Sequence, residues 1–372
     1  MSKSVLLLSA YDAVSHRLWR DRLCASFPDW QWTCLGLPPR HFAWRIRSNG
    51  MQWAYQERKV LERHYDLLIA TSMVDLATLR GLCPKLAGIP SIVYFHENQF
   101  AYPAGRQRPD NLEPLLVPIY SALCADKIVF NSAYNRRSFL RGVDSLSRSL
   151  PEPFPPQARE QLEAAEVIPV ALPAMPVAAR NSNKSAWLGV LWNHRWEYDK
   201  GPALLLAVIR ACMEQQLRIR FHIVGQQFRN QPSEFNEIDK LLAQYCQQQN
   251  IPRGQFGFLP EEEYRALLFE SDVVLSTALH DFQGLAIQEA CQAGCTPLAP
   301  NDLAYPEYLA EEFLYQRNED DDSTAASVAK KLAQLGRQKQ GRHELPTVNL
   351  AAYGQDEVKV RYESLFGDMA VI

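Results

Sequence analysis

Two basic residues, Arg195 and Lys200, lie five positions apart in the segment NHRWEYDKGP (193–202). An apolar run typical of a buried strand precedes the segment, and a run with the apolar spacing of a helix follows it. The N-terminus of a helix attracts anions because its first N–H groups have no partner within the helix. A guanidinium and an ammonium at this junction could therefore bind a diphosphate. A second interpretation stays open, in which both are solvated loop cations and one pairs with Glu197 or Asp199.

A second cluster of polar residues occurs in STALHDFQGLAIQEACQAG (276–294), again directly after an apolar strand-like run. Asp281 and Glu289 lie eight positions apart, and Gly284 precedes the helix-like part of the segment. Glycine allows a ligand to approach the backbone, so the N–H groups of Gly284 and Leu285 would point at it. Glu289, about one turn into the helix, could accept two hydrogen bonds from a ribose diol. The alternative is a surface helix with one acidic residue.

The first half of the chain also has polar residues where strands are expected to end. His96 follows the strand-like residues of VYFHENQFAYP (93–103), and Ser15 and His16 begin the first helix-like run. Each could face a ligand, or could be an internally bonded residue or a helix cap. Ser132, after another strand, is expected to cap a helix.

Strand-like and helix-like segments alternate along both halves, and one of the predicted helices spans 51–64. This alternation predicts an α/β protein with parallel sheets covered by helices. A segment rich in Pro, Asn and Ser (171–185) interrupts it. We therefore predict two doubly wound, Rossmann-like domains, at 1–173 and 184–350, followed by a C-terminal helix at 351–372. Ligands of such sheets bind at the carboxyl ends of the strands, so the cleft between facing domains is the expected site.

Composition narrows the class of protein. The chain has 372 residues, 47% hydrophobic content and a formal net charge of −3, which fit a globular protein and not a strongly nucleic-acid-binding composition. Its eight cysteines lack the paired spacing of a zinc site, and we expect reduced thiols. The first residues hold too short an apolar run for a signal peptide, and no apolar run reaches the length of a membrane span. A cytoplasmic protein without membrane insertion is expected.

Together the clusters resemble those of retaining glycosyltransferases of the two-domain GT-B type. In that family a motif G-R-x4-K-G binds the donor diphosphate, and residues 194–201 are similar to it, with His194 in place of glycine. A second motif, E-x7-E, resembles the stretch from Asp281 to Glu289, where the first carboxylate is Asp. A family histidine after an early strand corresponds to His96. The glycine-rich first loop of the family is replaced by YDAVSH.

Three phrases are similar to a narrower branch, the tRNA-queuosine mannosyltransferases: FHENQFAYP, NHRWEYDKGP and STALHDFQGLAIQEACQAGCTPLAPNDLAYPE. The resemblance implies transfer of mannose from GDP-mannose to a cyclopentene hydroxyl of queuosine in tRNA(Asp), with retention of configuration. It implies a nucleotide sugar and a queuosine-containing tRNA as partners, with no cofactor and no metal. It also implies that the C-terminal helix crosses back to the first domain. The implied catalytic residues are His96, Arg195, Lys200 and Asp281, and the implied donor-binding residues are Arg195, Lys200, Gly284, Leu285, Glu289 and Ser15.

A tRNA partner predicts basic residues near the site. One candidate is RHFAWRIR (40–47), where Arg45 and Arg47 stand beside Trp44, a combination that suits an unstacked base. The alternative for this segment is a surface helix or loop whose aromatic residues face the core. Further basic candidates are Arg17, Arg20, Arg22, RQR (106–108), Arg136, Arg137 and Arg141.

Two other functions stay open. The first is a GT-B glycosyltransferase with another acceptor, such as a lipid, glycan or small molecule, or another sugar donor. HRLWRDRLCASF (16–27) could be the basic amphipathic helix of a lipid-acting relative. The second is a non-catalytic module that binds a sugar nucleotide or RNA, against which the complete set of Arg195, Lys200 and Glu289 argues.

Overall fold

The computed structural model describes residues 2–102, 112–175 and 185–371. The basic candidate at 106–108 and residues 176–184 of the predicted boundary segment lie outside the described residues. The chain divides into two compact units. The first unit combines Met1–Pro173 with Ala352–Ile372, and the second spans Ala174–Ala351.

The described part of the first unit contains a six-stranded parallel sheet in the order β2-β1-β3-β4-β5-β6. Its strands are β1 Ser4–Ser9, β2 Gln31–Gly36, β3 Leu67–Thr71, β4 Ser91–Phe95, β5 Lys127–Phe130 and β6 Glu166–Val167. The central strands β3 and β4 are buried along their whole length, as expected for parallel strands covered on both faces.

The helices of the first unit are α1 Val14–Ser26, α2 Phe42–Gln56, α3 Arg58–Leu61, α4 Leu76–Leu82, α5 Glu113–Leu123, α6 Ala133–Ser149, α7 Pro156–Glu163 and, after the second unit, α13 Gln355–Asp368. Ser132 caps α6 as predicted, because its hydroxyl oxygen accepts a hydrogen bond from the Asn135 N–H at 3.0 Å. The C-terminal helix α13 packs on α1, where the Trp19 indole N–H donates to the Tyr362 hydroxyl at 2.9 Å.

The helix predicted over 51–64 was placed too late in the chain. In the structure α2 already begins at Phe42 and ends at Gln56, and α3 follows as a separate short helix. Polar residues on the buried face of α2 explain the error. Asn49 is fully buried, and its amide N–H groups donate to the carbonyl oxygens of Arg45, Ile46 and Met73.

The described part of the second unit repeats this architecture, with a six-stranded parallel sheet in the order β12-β11-β10-β7-β8-β9. Its strands are β7 Leu188–Trp192, β8 Ile219–Val224, β9 Phe256–Gly257, β10 Val273–Leu275, β11 Thr296–Pro300 and β12 Leu314–Tyr315. Its helices are α8 Pro202–Glu214, α9 Glu234–Gln249, α10 Glu261–Glu270, α11 Leu285–Gln292 and α12 Asp321–Gln340. Each unit therefore has the predicted α/β architecture.

The sheet order of the second unit explains how distant motifs can meet. Strand β10 pairs with β7 in parallel, with Val273 opposite Val190. The loop after β7 carries Arg195 and Lys200, and the loop after β10 carries Asp281. Since parallel neighbours end at the same edge of a sheet, both loops leave the sheet side by side.

None of the described helices is both long and apolar enough to span a lipid bilayer. All eight cysteines are free thiols, of which Cys83, Cys212, Cys291 and Cys295 are buried and Cys34 is exposed.

Candidate functional site

The loop after β7 ends in a 3₁₀ turn at Tyr198–Lys200, and Gly201 then serves as the N-cap of α8. Gly201 has a φ of 66°, in the left-handed region that favours glycine. A side chain at this position would overlap the carbonyl oxygen of Thr277, in the loop after β10. The Thr277 hydroxyl in turn donates to the Lys200 carbonyl oxygen at 2.8 Å. The two loops that carry the predicted motifs are therefore packed directly against each other.

Lys200 is a buried cation, with only 8% of its surface exposed. Its Nζ donates to the His280 carbonyl oxygen at 2.6 Å and lies 3.3 Å from Asp199 Oδ2 and 3.9 Å from Asp281 Oδ2. The alternative of a solvated loop cation is therefore wrong for Lys200, although its pairing with Asp199 is present. An ammonium group buried in this way acts more strongly on a nearby anion than a solvated one does.

Arg195 has a different environment, because 46% of its side chain is exposed. Its guanidinium lies 2.8 Å from Glu197 Oε2 and 3.9 Å from Asp199 Oδ2. Burial raises the pKa of the Glu197 carboxyl, while the positive charge of Arg195 opposes that rise. Arg195 and Lys200 thus share Asp199 as a neighbour, and the more exposed guanidinium lies at the surface.

Asp281 holds the backbone just before α11, where Gly284 is the N-cap. Its Oδ1 accepts a hydrogen bond from the Gly284 N–H at 3.0 Å, and its Oδ2 accepts one from the Tyr305 hydroxyl at 3.2 Å. Burial alone would raise the pKa of Asp281, but the charge of Lys200 and the Gly284 N–H lower it. The Gly284 N–H, which we expected to point at a ligand, is held by Asp281 in this structure.

A hydrogen-bonded chain behind Asp281 was not predicted. Ser276 Oγ lies 2.7 Å from the Tyr305 hydroxyl and 3.1 Å from His194 Nε2. Burial and the charge of Lys200 lower the pKa of His194 to about 4, so the ring is neutral at pH 7. Tyr305 has a single hydroxyl proton, which it donates to the ionised Asp281. Ser276 must therefore donate to the Tyr305 oxygen, and His194 donates to Ser276 through Nε2. The signals in the sequence were Ser276 directly after a strand and His194 at the motif's glycine position.

Glu289 lies one turn into α11, and its side chain is half-buried. Glu289 acts electrostatically on Tyr264. Burial is the main reason why the pKa of the Tyr264 hydroxyl is raised, and the negative charge of Glu289 raises it further. Asn193 donates both to that hydroxyl and to the Ala286 carbonyl oxygen, each at 2.9 Å. Leu285, half-buried, is the first residue of the same helix. The start of α11 is therefore joined to the loop after β7.

The second unit thus gathers most of the predicted site residues at one edge of its sheet, namely Arg195, Lys200, Asp281, Gly284, Leu285 and Glu289. The other two, His96 and Ser15, belong to the first unit. Ser15 is exposed in the first turn of α1.

His96 forms a stacked pair with His16, with ring centroids 4.1 Å apart and an interplanar angle of 21°. Both are buried, and Trp19 and Tyr94 present their rings edge-on to His96 at 4.8 Å and 4.7 Å. Burial lowers the pKa of His16 to about 4. Burial also lowers the pKa of His96 well below its usual value, and the neighbouring His16 lowers it further. His96 Nε2 and His16 Nδ1 have no hydrogen-bond partner among the residues that the structure describes. The pair therefore offers two unused ring nitrogens of neutral histidines.

No cluster of three or more His, Cys, Asp or Glu side chains that could hold a metal ion occurs within residues 2–102, 112–175 and 185–371.

Two family models match the chain, one in each of its two units. Residues 4–172 match the N-terminal domain of tRNA-queuosine alpha-mannosyltransferase, and residues 189–345 match the glycosyl transferases group 1. The tRNA-queuosine alpha-mannosyltransferase of Drosophila melanogaster is 30% identical over 378 residues, which cover 97% of this chain and 96% of that protein.

Solved structures show the likeness of fold. Sucrose-phosphate synthase from Thermosynechococcus elongatus matches with a TM-score of 0.67 and 14% identity, over 99% of both chains. A UDP-forming trehalose-phosphate synthase from Burkholderia vietnamiensis matches with a TM-score of 0.63 and 15% identity, over 100% of this chain and 98% of that one. The predicted GT-B fold class is thereby confirmed.

Proposed function

The chain belongs to the tRNA-queuosine alpha-mannosyltransferase family and is a glycosyltransferase, and on that premise we propose its reaction. The proposed reaction moves mannose from GDP-mannose to a cyclopentene hydroxyl of queuosine in tRNA(Asp), with retention of anomeric configuration. The proposal includes a cytoplasmic location, where the protein would meet its tRNA acceptor.

The observation that supports this proposal most directly is the position of Lys200 beside Asp281. The cation of one motif and the carboxylate of the other lie 3.9 Å apart, although they are 81 positions apart in the sequence. In the proposed complex Lys200 and Arg195 bind the diphosphate, and Asp281 binds hydroxyls of the sugar. Glu289, one turn into α11, binds the ribose diol. His96, in the first unit, contacts the donor sugar.

The proposed chemistry needs stabilisation of negative charge. The bond between the anomeric carbon and the diphosphate oxygen breaks, and a bond from that carbon to the acceptor oxygen forms on the same face. The acceptor proton passes to the departing phosphate oxygen, so no protein nucleophile is required. Negative charge grows on the diphosphate during this step, and a buried ammonium such as Lys200 stabilises it most strongly where water is excluded. Because two cations supply this stabilisation, the proposal includes no metal.

The test is transfer of radiolabelled mannose from GDP-mannose to queuosine-containing tRNA(Asp) by the full chain. Two tRNAs serve as controls for the acceptor. One is the same tRNA without queuosine, and the other is a queuosine-containing tRNA for an amino acid other than aspartate. Lys200→Ala should lower turnover by about 10²- to 10³-fold, by analogy with the loss of one charge-stabilising donor. Lys240→Ala, at an exposed lysine of the same unit, should leave turnover unchanged. A thermal melt of both variants separates loss of catalysis from loss of folding.

Further arms test the finer parts of the proposal. Product that an α-specific mannosidase releases, and a β-specific one does not, would support retention. Activity that survives EDTA would support a reaction without a metal. If the wild type binds GDP-mannose but labels no tRNA, the acceptor in the proposal is wrong and a lipid, glycan or small molecule takes its place. If another nucleotide sugar is the better donor, the proposed donor is wrong.

A further inference from the structure

The first turn of α2 lies at the same edge of the first sheet as the histidine pair. Helix α2 follows the carboxyl end of β2, as α1 with His16 follows that of β1. The Asp12 N–H donates to the Leu37 carbonyl oxygen at 2.9 Å, which joins the two loops. The Phe42 ring also meets the Tyr11 ring edge-on at 6.1 Å. The start of α2 is thus fixed to the loop that leads into His16.

Trp44, at the third position of α2, is largely exposed to solvent. It retains 60% of its accessible surface, and its indole makes no hydrogen bond or ring contact with another residue of the described part of the chain. A single exposed apolar side chain is common on protein surfaces. The aromatic residue becomes informative only through the charges around it.

The residues around Trp44 are basic, and no acidic residue balances them within the helix. Arg40 is exposed two residues before α2, Arg45 lies in its first turn, and Phe42–Gln56 contains no Asp or Glu. His41, the N-cap, has a φ of 56° and makes no side-chain capping bond. Helix starts normally favour acidic residues, and the first turn of α2 contains none. The start of α2 therefore combines positive charge with the positive end of a helix dipole, which suits an anionic partner.

Arg47 does not belong to this surface, although the sequence placed it beside Arg45. It lies 2.6 Å from Asp75 Oδ2 and 3.3 Å from Glu113 Oε2, so its charge is balanced within the unit. We name the surface formed by Arg40, His41, Trp44 and Arg45 the α2 tip.

We propose that the α2 tip binds the acceptor RNA, with Trp44 stacking on an unpaired loop base and Arg40 and Arg45 contacting the adjacent phosphates. This inference rests on the proposed function, since it assigns part of the RNA contact to a defined surface. Single-stranded bases stack on aromatic rings irrespective of base identity, and flanking arginines bind the backbone. Trp44 thereby holds the loop at the edge of the sheet where His16 and His96 lie.

The competing partner for an exposed aromatic helix is a membrane surface. Trp44, Met51 and Tyr55 are all exposed on α2 and lie on one side of it, at spacings of seven and four residues. A membrane or a protein docking on this side would use the whole row. The RNA surface that we propose uses only the first of the three. Tyr55 is 75% exposed and stands about 16 Å further along the helix axis, so it is a matched control.

The experiment measures equilibrium binding of fluorescently labelled, queuosine-containing tRNA by the full-length protein as a function of salt. Trp44→Ala should raise the Kd by about 10-fold or more, Trp44→Phe should raise it less, and Tyr55→Ala should leave it unchanged. Arg45→Gln should lower the slope of log K against log salt by about 0.7, whereas Trp44→Ala should not change that slope. In the transfer assay Trp44→Ala should raise the KM for tRNA and leave the KM for GDP-mannose unchanged.

Equal losses of binding in Trp44→Ala and Tyr55→Ala would overturn the inference, and so would tRNA binding that is unchanged in Trp44→Ala. Binding to anionic phosphatidylserine vesicles that falls in both variants would assign the row to a membrane instead. If the wild type binds the tRNA but transfers no mannose to it, the proposed function fails. In that case the comparison of Trp44→Ala with Tyr55→Ala still decides whether the α2 tip binds RNA.

Discussion

Gly284 is the residue on which the geometry around Asp281 most directly depends. Its φ of 78° lies in the left-handed region, and its N–H is held by Asp281. A Cβ at this position would lie 2.6 Å from the Tyr308 hydroxyl and 2.8 Å from Tyr305 Cε1. Tyr305 is also the hydrogen-bond donor to Asp281 Oδ2. Backbone conformation and close packing therefore both require glycine here.

We predict that Gly284→Ala lowers the free energy of unfolding by at least about 2 kcal/mol, because strain and overpacking act together. Transfer activity should fall as well, since Tyr305 must move and Asp281 with it. The matched control is Gly336→Ala, in the interior of α12, where an added Cβ meets nothing within 4 Å. That variant should gain about 0.5–1 kcal/mol. Urea denaturation of both variants is the measurement, and a Gly284→Ala protein as stable as the wild type would contradict the argument.

Residue types were predictable at the candidate site, and so was the pairing of a loop cation with Glu197 or Asp199, but burial was not. The Arg-x4-Lys spacing identified Lys200, yet nothing in the local sequence shows that its ammonium is buried between Asp199 and Asp281. His194, Ser276 and Tyr305 form one hydrogen-bonded chain although they come from three separate loops. Contacts of this kind depend on the order of strands in the sheet, which local periodicity does not contain.

At the scale of elements, strands were easier to predict than helix boundaries. Parallel strands such as β3 and β4 are continuous apolar runs, so composition alone locates them. Helix α2 was misplaced because its buried face includes Ser48 and Asn49, whose burial the apolar pattern does not reveal. Helix α7 was not predicted, because its short run from Pro156 to Glu163 is mostly polar and buries Leu162 alone within the helix.

Helix α13 gives a test of how one element stabilises the first unit. The Tyr362 hydroxyl accepts the Trp19 indole N–H at 2.9 Å, and it is buried. Tyr362→Phe would leave a buried indole N–H without an acceptor. We predict a loss of about 1–3 kcal/mol in the free energy of unfolding. Thermal and urea unfolding measure it, with Tyr55→Phe at an exposed position as the control. A loss no larger than that of the control would mean that water replaces the hydroxyl.

At the scale of the whole molecule, acid should destabilise both units through buried histidines. Burial lowers the pKa of His16 in the first unit to about 4, and in the second unit it lowers those of His194 and His280 to about 4 and that of His222 to about 3. Each histidine takes up a proton near pH 6.5 when unfolded, but only at lower pH when folded. The unfolded state therefore binds more protons between about pH 6.5 and 4, so stability is fully present above pH 6.5 and falls as the pH decreases.

We predict that the free energy of unfolding decreases steeply between pH 7 and 5, by several kcal/mol in total. The reason is that a tenfold difference in proton affinity between the folded and unfolded states corresponds to about 1.4 kcal/mol for each histidine. Urea denaturation at pH 7.5, 6 and 5, followed by tryptophan fluorescence and by far-UV circular dichroism, is the measurement. His222→Gln should flatten the slope for the second unit, because glutamine removes the titrating ring and can still accept the Gln255 N–H that His222 Nδ1 accepts at 3.1 Å. His343→Gln, at an exposed position, is the control. A stability that stays constant from pH 7.5 to 5 would mean that the buried rings reach water before the units unfold.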